Sequence, residues 1–429
     1  MTLSTHIDCA LAMTSPGRAV WVALSGGLDS SLLLTLAAAA CRLHPRPLYA
    51  LHVDHGLQPA AADFERHCRR LCSRLGVPLF VERACVDLAS GLGLEGAARE
   101  ARYAAFARRL RPGDTLWLAQ HRDDQAETFL LAALRRSGVA GLAAMPALRE
   151  FGGATLARPL LGVSRTVLEH EARQRALSWS DDPSNDETDV DRNYLRHTVM
   201  PRLKARWPEA DAGLAAAAAH AGEALGLLEE LAEEDLARCG ADPGRIALAP
   251  LVTLSRPRQR LLLRHCATRL GLPTPPAKRL ESLLSQLGAR RDAEVRVSWA
   301  GAEARRWDAA VWLLAGHDGG EGTDGVGVPE GQWDGQAPLQ TPWGERRVRL
   351  LGVGETALGL LSLRPRQGGE RLRLAGRGGR DLKRLLQEAG VPPWRRATTV
   401  VVWHGDQPVA ALELVEGRWV AVAEGWRGA

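Results

Sequence analysis

Along the first part of the chain, short apolar and β-branched runs alternate with segments whose apolar residues recur at helical intervals. Residues 19–24, 47–53, 77–86 and 115–119 have the length and composition of strands. Residues 31–42, 60–75, 94–109 and 124–136 carry the spacing of crossover helices. This order predicts an α/β fold, a doubly wound, mostly parallel, Rossmann-like sheet. Ligands of such sheets lie beyond the carboxyl ends of the strands, so residues that directly follow a strand are where chemistry is expected.

After Pro201 and Pro208 the pattern changes. Ala, Leu and Glu dominate, with one long helix predicted over 211–238 and two more over 255–270 and 276–287. Residues 316–331, rich in glycine and acid, show no periodicity and suggest a linker. Beyond it, short strands near 346–351 and 398–403 flank a helix near 380–389. The expected organisation is a catalytic α/β domain over 1–205, a helical domain over 206–315, a linker over 316–332 and a small α+β domain over 333–429.

Composition narrows this picture only slightly. A chain of 429 residues, 45% hydrophobic, can core two or three domains. No apolar run approaches the roughly 20 residues needed to cross a bilayer, so no membrane association is expected. Seven cysteines without repeating spacing suit a reducing cytoplasm. Cys68 and Cys72 lie four apart, but no second pair completes a zinc site. The net charge of +5 is a mild excess, so the distribution of charge matters more than its total. Nearly every base is arginine; lysine occurs only at 204, 278 and 383.

Chemistry concentrates after the first strand, in Ser25-Gly26-Gly27-Leu28-Asp29-Ser30-Ser31. Two glycines permit a tight turn, and the amides of a helix N-terminus attract an anion, with three serine hydroxyls close by. Asp29 has no place in a phosphate cradle unless it holds a cation, which points to Mg²⁺ bridging phosphate oxygens. No Gly-Lys-Ser/Thr follows and the third glycine of a dinucleotide fingerprint is missing, so neither of those loops is present. A capped Gly-Gly turn is the plainer alternative.

Two further clusters stand out. His121, Asp124 and Glu127 follow the strand at 115–119; Asp124 and Glu127 share a helix face and could bind Mg²⁺ or an ammonium group, or simply cap the helix. Asn185, Arg192, Asn193 and Arg196 lie in a polar stretch after Trp179, with the two arginines spaced to meet a phosphate or carboxylate together.

The Ser25–Ser31 segment resembles the phosphate loop of the N-type ATP pyrophosphatases. The ordered set of segments resembles the tRNA(Ile)-lysidine synthetases. It comprises that loop, His52-Val53-Asp54-His55-Gly56, Glu95 with Arg99, Arg102 and Tyr103, the His121, Trp179 and Arg192 segments, and Arg158-Pro159-Leu160-Leu161. The tail also resembles the family's carboxy-terminal domain, through 363–371, Asp381-Leu382-Lys383-Arg384 and 391–396. The family usually has two histidines where Gln120 and His121 stand, and commonly Asn in place of Asp54.

The resemblance implies adenylation of the wobble cytidine in a CAU-anticodon tRNA(Ile), followed by attack of free L-lysine, with ATP and Mg²⁺ required. It implies ATP binding by Ser25 to Ser31 and His52, the metal at Asp29, and catalytic roles for Asp29, Asp124, Glu127 and Arg192. It also implies contacts to lysine or tRNA from His121, Asp124, Glu127, Asn185, Arg192, Asn193, Arg196, Arg366, Arg371, Lys383, Arg395 and Arg396. Residues 361–400 hold ten Arg or Lys against three Asp or Glu, a basic patch suited to an RNA backbone or to a solvated face. Trp394 suits base stacking as well as a core position. A tRNA thiolase using the same loop would need a reactive Cys pair or iron–sulfur cluster, and no Cys-x-x-Cys exists. An amidotransferase-linked synthetase would need an amino-terminal cysteine nucleophile, and a non-catalytic tRNA-binding relic would not keep Asp29, Asp124 and Glu127. Oligomeric state is not legible, and a homodimer stays open.

Overall fold

The computed structural model describes residues 2–56, 61–87, 89, 91, 93–180, 189–288, 295–316, 328–353 and 360–429. Two compact units emerge, Met1–Leu231 and Ala232–Ala429.

The first unit runs α1 (Leu3–Ala12), β1 (Val20–Ala23), α2 (Leu28–Leu43), β2 (Leu48–Asp54), α3 (Ala61–Leu75), β3 (Leu79–Arg83), α4 (Gly93–Arg109), β4 (Thr115–Trp117) and α5 (Arg122–Leu134). Then come α6 (Val139–Leu142), β5 (Leu148–Phe151), β6 (Ala154–Ala157), α7 (Arg165–Gln174), α8 (Asp191–Tyr194), α9 (Met200–Arg206) and α10 (Ala210–Arg238), the last of which continues past Leu231 into the second unit. Six strands form one sheet in the order β3-β2-β1-β4-β6-β5, parallel except for β5. This is the doubly wound sheet predicted, with an unforeseen antiparallel edge.

Strand alternation divides the core between the two faces. Val20 and Val22 of β1 point into a cluster with α1, α2, α3 and α7, including Ile7, Leu32, Leu33, Leu71 and Leu168. Trp21 points the other way, to Leu51, Phe106, Leu116 and Leu156. Helix α2 is buried along most of its length, which explains its near-continuous Leu and Ala content. It begins at Leu28, three residues before the sequence pattern suggested, because Gly27 caps it in extended conformation. Asp29 and Ser30 therefore sit in a helical first turn. Since β2 and β4 flank β1 on opposite sides, the crevice beyond β1 is the sheet's topological switch point.

Between α8 and α9 the chain makes a π turn, Leu195–Val199, in which the Met200 amide bonds Leu195 O five residues back. Pro201 follows at once and has no N–H to continue the α-helical ladder, which accounts for the wide turn.

The second unit corrects one expectation. The helices Arg256–Arg269 and Ala277–Gln286 are present, but residues 245–315 are not purely helical. Arg245–Ala247, Val295–Trp299, Ala302–Trp307 and Ala310–Ala315 form a four-stranded antiparallel sheet under them. The strands are short, and the Val-Arg-Val alternation of 295–297 and the apolar run at 310–314 were outweighed by the surrounding Ala-Leu-Glu content. A second antiparallel sheet joins Gly331–Trp333, Leu361–Pro365, Thr399–His404, Gln407–Glu413 and Arg418–Val422, covered on one face by the helix Leu382–Glu388. The strand expected over 346–351 is two short ones, Gly344–Arg346 and Leu350–Gly352, which pair with different partners. Most of the expected linker, 317–327, lies outside the described residues. Among those described, no helix is long and apolar enough to cross a membrane.

Candidate active site at the switch point

Gly26 holds φ +94°, a left-handed conformation, and a Cβ there would sit 3.3 Å from Cys68 Sγ and 3.5 Å from Phe64 O. Only glycine meets both demands without strain. The turn is pinned from within. Ser30 Oγ accepts from Ser25 N at 3.2 Å and lies 3.2 Å from Gly27 O, while the Ser180 amide donates to Gly26 O at 3.0 Å. His52, almost fully buried, places Nδ1 2.8 Å from Leu24 O and so ties β2 to the base of the loop. Of the three expected hydroxyls, Ser25 alone is exposed. Ser30 belongs to the turn, and Ser31, 1% exposed, lies 3.5 Å from His67. The backbone amides at the start of α2 are suited to meet an anion.

Asp29 projects from the first turn of α2. Its Oδ1 is buried without a hydrogen-bond partner, and Oδ2 lies 3.9 Å from His121 Nε2 and 3.8 Å from Arg165 Nη1. Burial pushes its pKa up, against the opposing pull of His121 and Arg165. A divalent cation would both satisfy the orphaned oxygen and offset that cost, so the residue fits Mg²⁺. Among the described residues no cluster of three or more His, Cys, Asp or Glu could hold a metal ion. A cation here would draw its remaining oxygens from phosphates and water, the usual habit of Mg²⁺.

Across the crevice, α5 starts with acids. Asp124 Oδ2 accepts from His121 N at 3.1 Å, the capping role foreseen as the alternative, but its Oδ1 faces elsewhere. Arg196, on the π turn, donates Nε to Glu127 Oε1 at 2.8 Å and Nη2 to Glu127 Oε2 and Asp124 Oδ1 at 2.9 Å each. Arg192 donates to Thr128 Oγ1 at 2.8 Å and keeps Nε 3.5 Å from Glu127 Oε2. The two arginines do act together, on carboxylates, one of the two kinds of partner that the spacing suggested. Glu127 is 2% exposed and Asp124 16%. Burial raises the Glu127 pKa even though Arg196 works to lower it. A charge-assisted fork of this kind fixes both partners.

Several residues here escaped the sequence reading. Lys204 donates to Asp123 Oδ1 at 2.7 Å and lies 3.5 Å from Asp211; Arg122 bonds Asp211 at 2.8 Å. These pairs moor α5 to α9 and α10. That Lys204 is one of three lysines among so many arginines was the only available hint. Gln120, which stands where the family usually has a histidine, accepts from Arg158 Nε at 2.9 Å, and Arg158 also donates to Pro146 O.

The first 3–203 residues match the model of the PP-loop domain, 246–312 that of the TilS substrate binding domain and 361–426 that of the TilS substrate C-terminal domain. The chain is 45% identical to the tRNA(Ile)-lysidine synthase of Pseudomonas aeruginosa, over 97% of this chain and 96% of that one. It is 42% identical to that of Alkalilimnicola ehrlichii, over 99% and 95%. The chain belongs to the tRNA(Ile)-lysidine synthase family. Among solved structures it is similar to the U34-tRNA thiolase NcsA from Methanococcus maripaludis, with a TM-score of 0.43 at 14% identity over 50% of this chain and 76% of that one.

The structure thus gathers Ser25 to Ser31, His52, His121, Asp124, Glu127, Arg192 and Arg196 into or beside one crevice. Asn193 is buried next to Arg192, and Asn185 lies outside the described residues. The tail residues expected to meet tRNA belong to the second unit and differ among themselves. Arg371 and Lys383 are exposed. Arg366 and Arg396 are half-buried near each other, and burial, then the Arg366 charge, holds the Arg396 pKa down. Arg395 lies 4.9 Å from the Trp312 ring and pairs with Glu416 at 2.8 Å. Trp394 packs edge-on against Trp307 and Trp312 with Arg305 over its ring, so its aromatic surface is engaged inside the protein.

Proposed function

We propose that this lysidine synthase family member joins free L-lysine to C2 of the wobble cytidine in a CAU-anticodon tRNA(Ile), converting ATP to AMP and pyrophosphate. The observation that supports it best is the likeness to tRNA(Ile)-lysidine synthases over nearly the whole chain. The crevice then supplies a role for each group.

In the first step the cytosine O2 attacks the α-phosphorus of ATP, and the bond to the β-phosphate oxygen breaks. The amides of the Gly26–Gly27 turn and the start of α2 hold the departing phosphates and cost no reorganisation, because the turn is already built. Asp29 would hold Mg²⁺, which supplies charge neutralisation at those phosphates when bound. In the second step the lysine ε-nitrogen attacks C2, the C2–O bond breaks, AMP leaves, and the amine gives up its protons to solvent or carboxylate.

Asp124, the more accessible of the two acids, receives the lysine ammonium. Glu127 serves as the buried anchor of Arg196 and keeps that guanidinium aimed into the crevice. Arg192, with Nε buried and unbonded, faces the adenylate phosphate. Positioning and charge are the catalytic resources, so no protein nucleophile is required. The exposed bases Arg371 and Lys383 hold RNA backbone.

The test is direct. The protein is incubated with ATP, Mg²⁺, labelled lysine and CAU-anticodon tRNA(Ile), and label is sought in the RNA. Lysine-dependent labelling of that tRNA, absent with a tRNA lacking the CAU anticodon, is the expected result. Release of pyrophosphate without label would overturn lysine as the acceptor.

A further inference from the structure

One motif noted in the sequence has no part in the reaction above: Arg99 and Tyr103 on α4. In the fold they meet Arg149 and Phe151 of β5 around a cavity of about 340 Å³, lined also by Gly96 and Glu100. The Arg99 guanidinium lies 4.9 Å from the Tyr103 ring centroid; that of Arg149 lies 5.2 Å from Tyr103 and 5.9 Å from Phe151. The Tyr103 and Phe151 rings meet edge to face at 5.7 Å. Both arginines are exposed, both rings half-buried. No acid is within ion-pair reach of either guanidinium among the described residues, although Glu100 shares the cavity wall.

We propose that this cavity is a subsite for a single unstacked nucleotide of the RNA substrate, a neighbour of the base being modified. The chemistry of the wall fits that occupant. Planar guanidinium and aromatic surfaces accept a nucleobase by stacking, and the same arginines answer its phosphate. The volume of about 340 Å³ is of the size of one nucleotide. The subsite is also wired to the catalytic crevice. Arg158 is buried, with Tyr103, Arg149 and Arg99 as its electrostatic neighbours, and it donates to Gln120, the residue directly before His121. Arg158 further holds Pro146 O, and Gln125 of α5 exchanges hydrogen bonds with Met145 at 2.9 and 3.0 Å. A nucleotide on Tyr103 would thus sit one buried arginine away from the segment carrying His121 and Asp124.

This rests on the RNA substrate proposed above, and the test separates the two. The probe is a CAU anticodon stem-loop carrying 2-aminopurine beside the wobble cytidine, with the full-length protein. In the wild type, binding should quench the fluorophore by stacking. Arg149→Ala should weaken stem-loop binding about tenfold and relieve the quench, with ATP affinity and thermal midpoint unchanged. Arg149→Lys should restore the salt dependence but not the quench, because ammonium attracts phosphate and does not stack. If Arg99→Ala/Arg149→Ala binds the stem-loop within twofold of wild type and quenches equally, the subsite is refuted while lysidine formation by the wild type still stands. If the wild type binds no RNA at all, the function itself is at fault.

Discussion

The crevice and the exposed bases of the tail handle positive charge in opposite ways. In the first, the arginines and lysine around the crevice are paired: Arg196 with Glu127 and Asp124, Lys204 with Asp123, Arg122 with Asp211. In the second, Arg371 and Lys383 stand exposed on a short strand and a helix. A buried cation needs a partner and then fixes geometry; an exposed one keeps its hydration and exchanges it for a polyanion with little reorganisation. The first arrangement suits chemistry at a defined point, the second a diffuse and salt-sensitive grip.

Five substitutions would break or sharpen that contrast. Asp29→Ala should have the largest effect, lowering turnover at least a hundredfold, on the order of the loss seen when one preorganised electrostatic group is removed. RNA affinity should hardly move, and retained pyrophosphate release would sink the metal assignment. Arg196→Leu comes next, because it strands Glu127 in a nearly dry site; unfolding free energy near neutrality should fall by about 3–5 kcal/mol. The sign with pH follows from the raised Glu127 pKa. A carboxyl whose folded pKa lies above its unfolded one favours the fold when protonated, so the deficit should shrink as pH falls through the raised value. A deficit independent of pH in denaturant titrations would mean that Glu127 is not the stranded charge.

Gly26→Ala should cost about 1–3 kcal/mol through the forbidden φ alone, and should weaken ATP binding by displacing the loop amides. Unaltered ATP affinity by calorimetry would show that the turn is not the phosphate cradle. Smallest is the pair Arg371→Ala and Lys383→Ala. Each should lower the slope of log binding constant against log salt by about one and leave stability within about 0.5 kcal/mol. A stability loss without a change in slope would make these residues part of the unit's scaffold.

Much of this was visible along the chain. Alternating strand and helix spacing implies parallel crossover connections, so the doubly wound core could be foreseen. The antiparallel sheet of 245–315 could not, since its strands are only three to six residues long and borrow their burial from helices elsewhere in the sequence. The glycine turn was legible because it is a local backbone solution, written in consecutive residues. The mooring of α5 was not: Arg122 and Asp211 are 89 residues apart, Lys204 and Asp123 81.

What the amino-acid order determined unaided is the class of chemistry, through the Ser25–Ser31 loop and the carboxylates that follow a strand end. Local geometry there depends on neighbours in sequence and needs no partner from afar. Only the tertiary structure decided the state of the side chains: that Asp29 keeps a buried oxygen unbonded, that Arg196 covers Glu127, and that Trp394 packs edge-on against two other tryptophans. Burial and ion pairing depend on what the fold carries to a point in space, and residue spacing does not encode that.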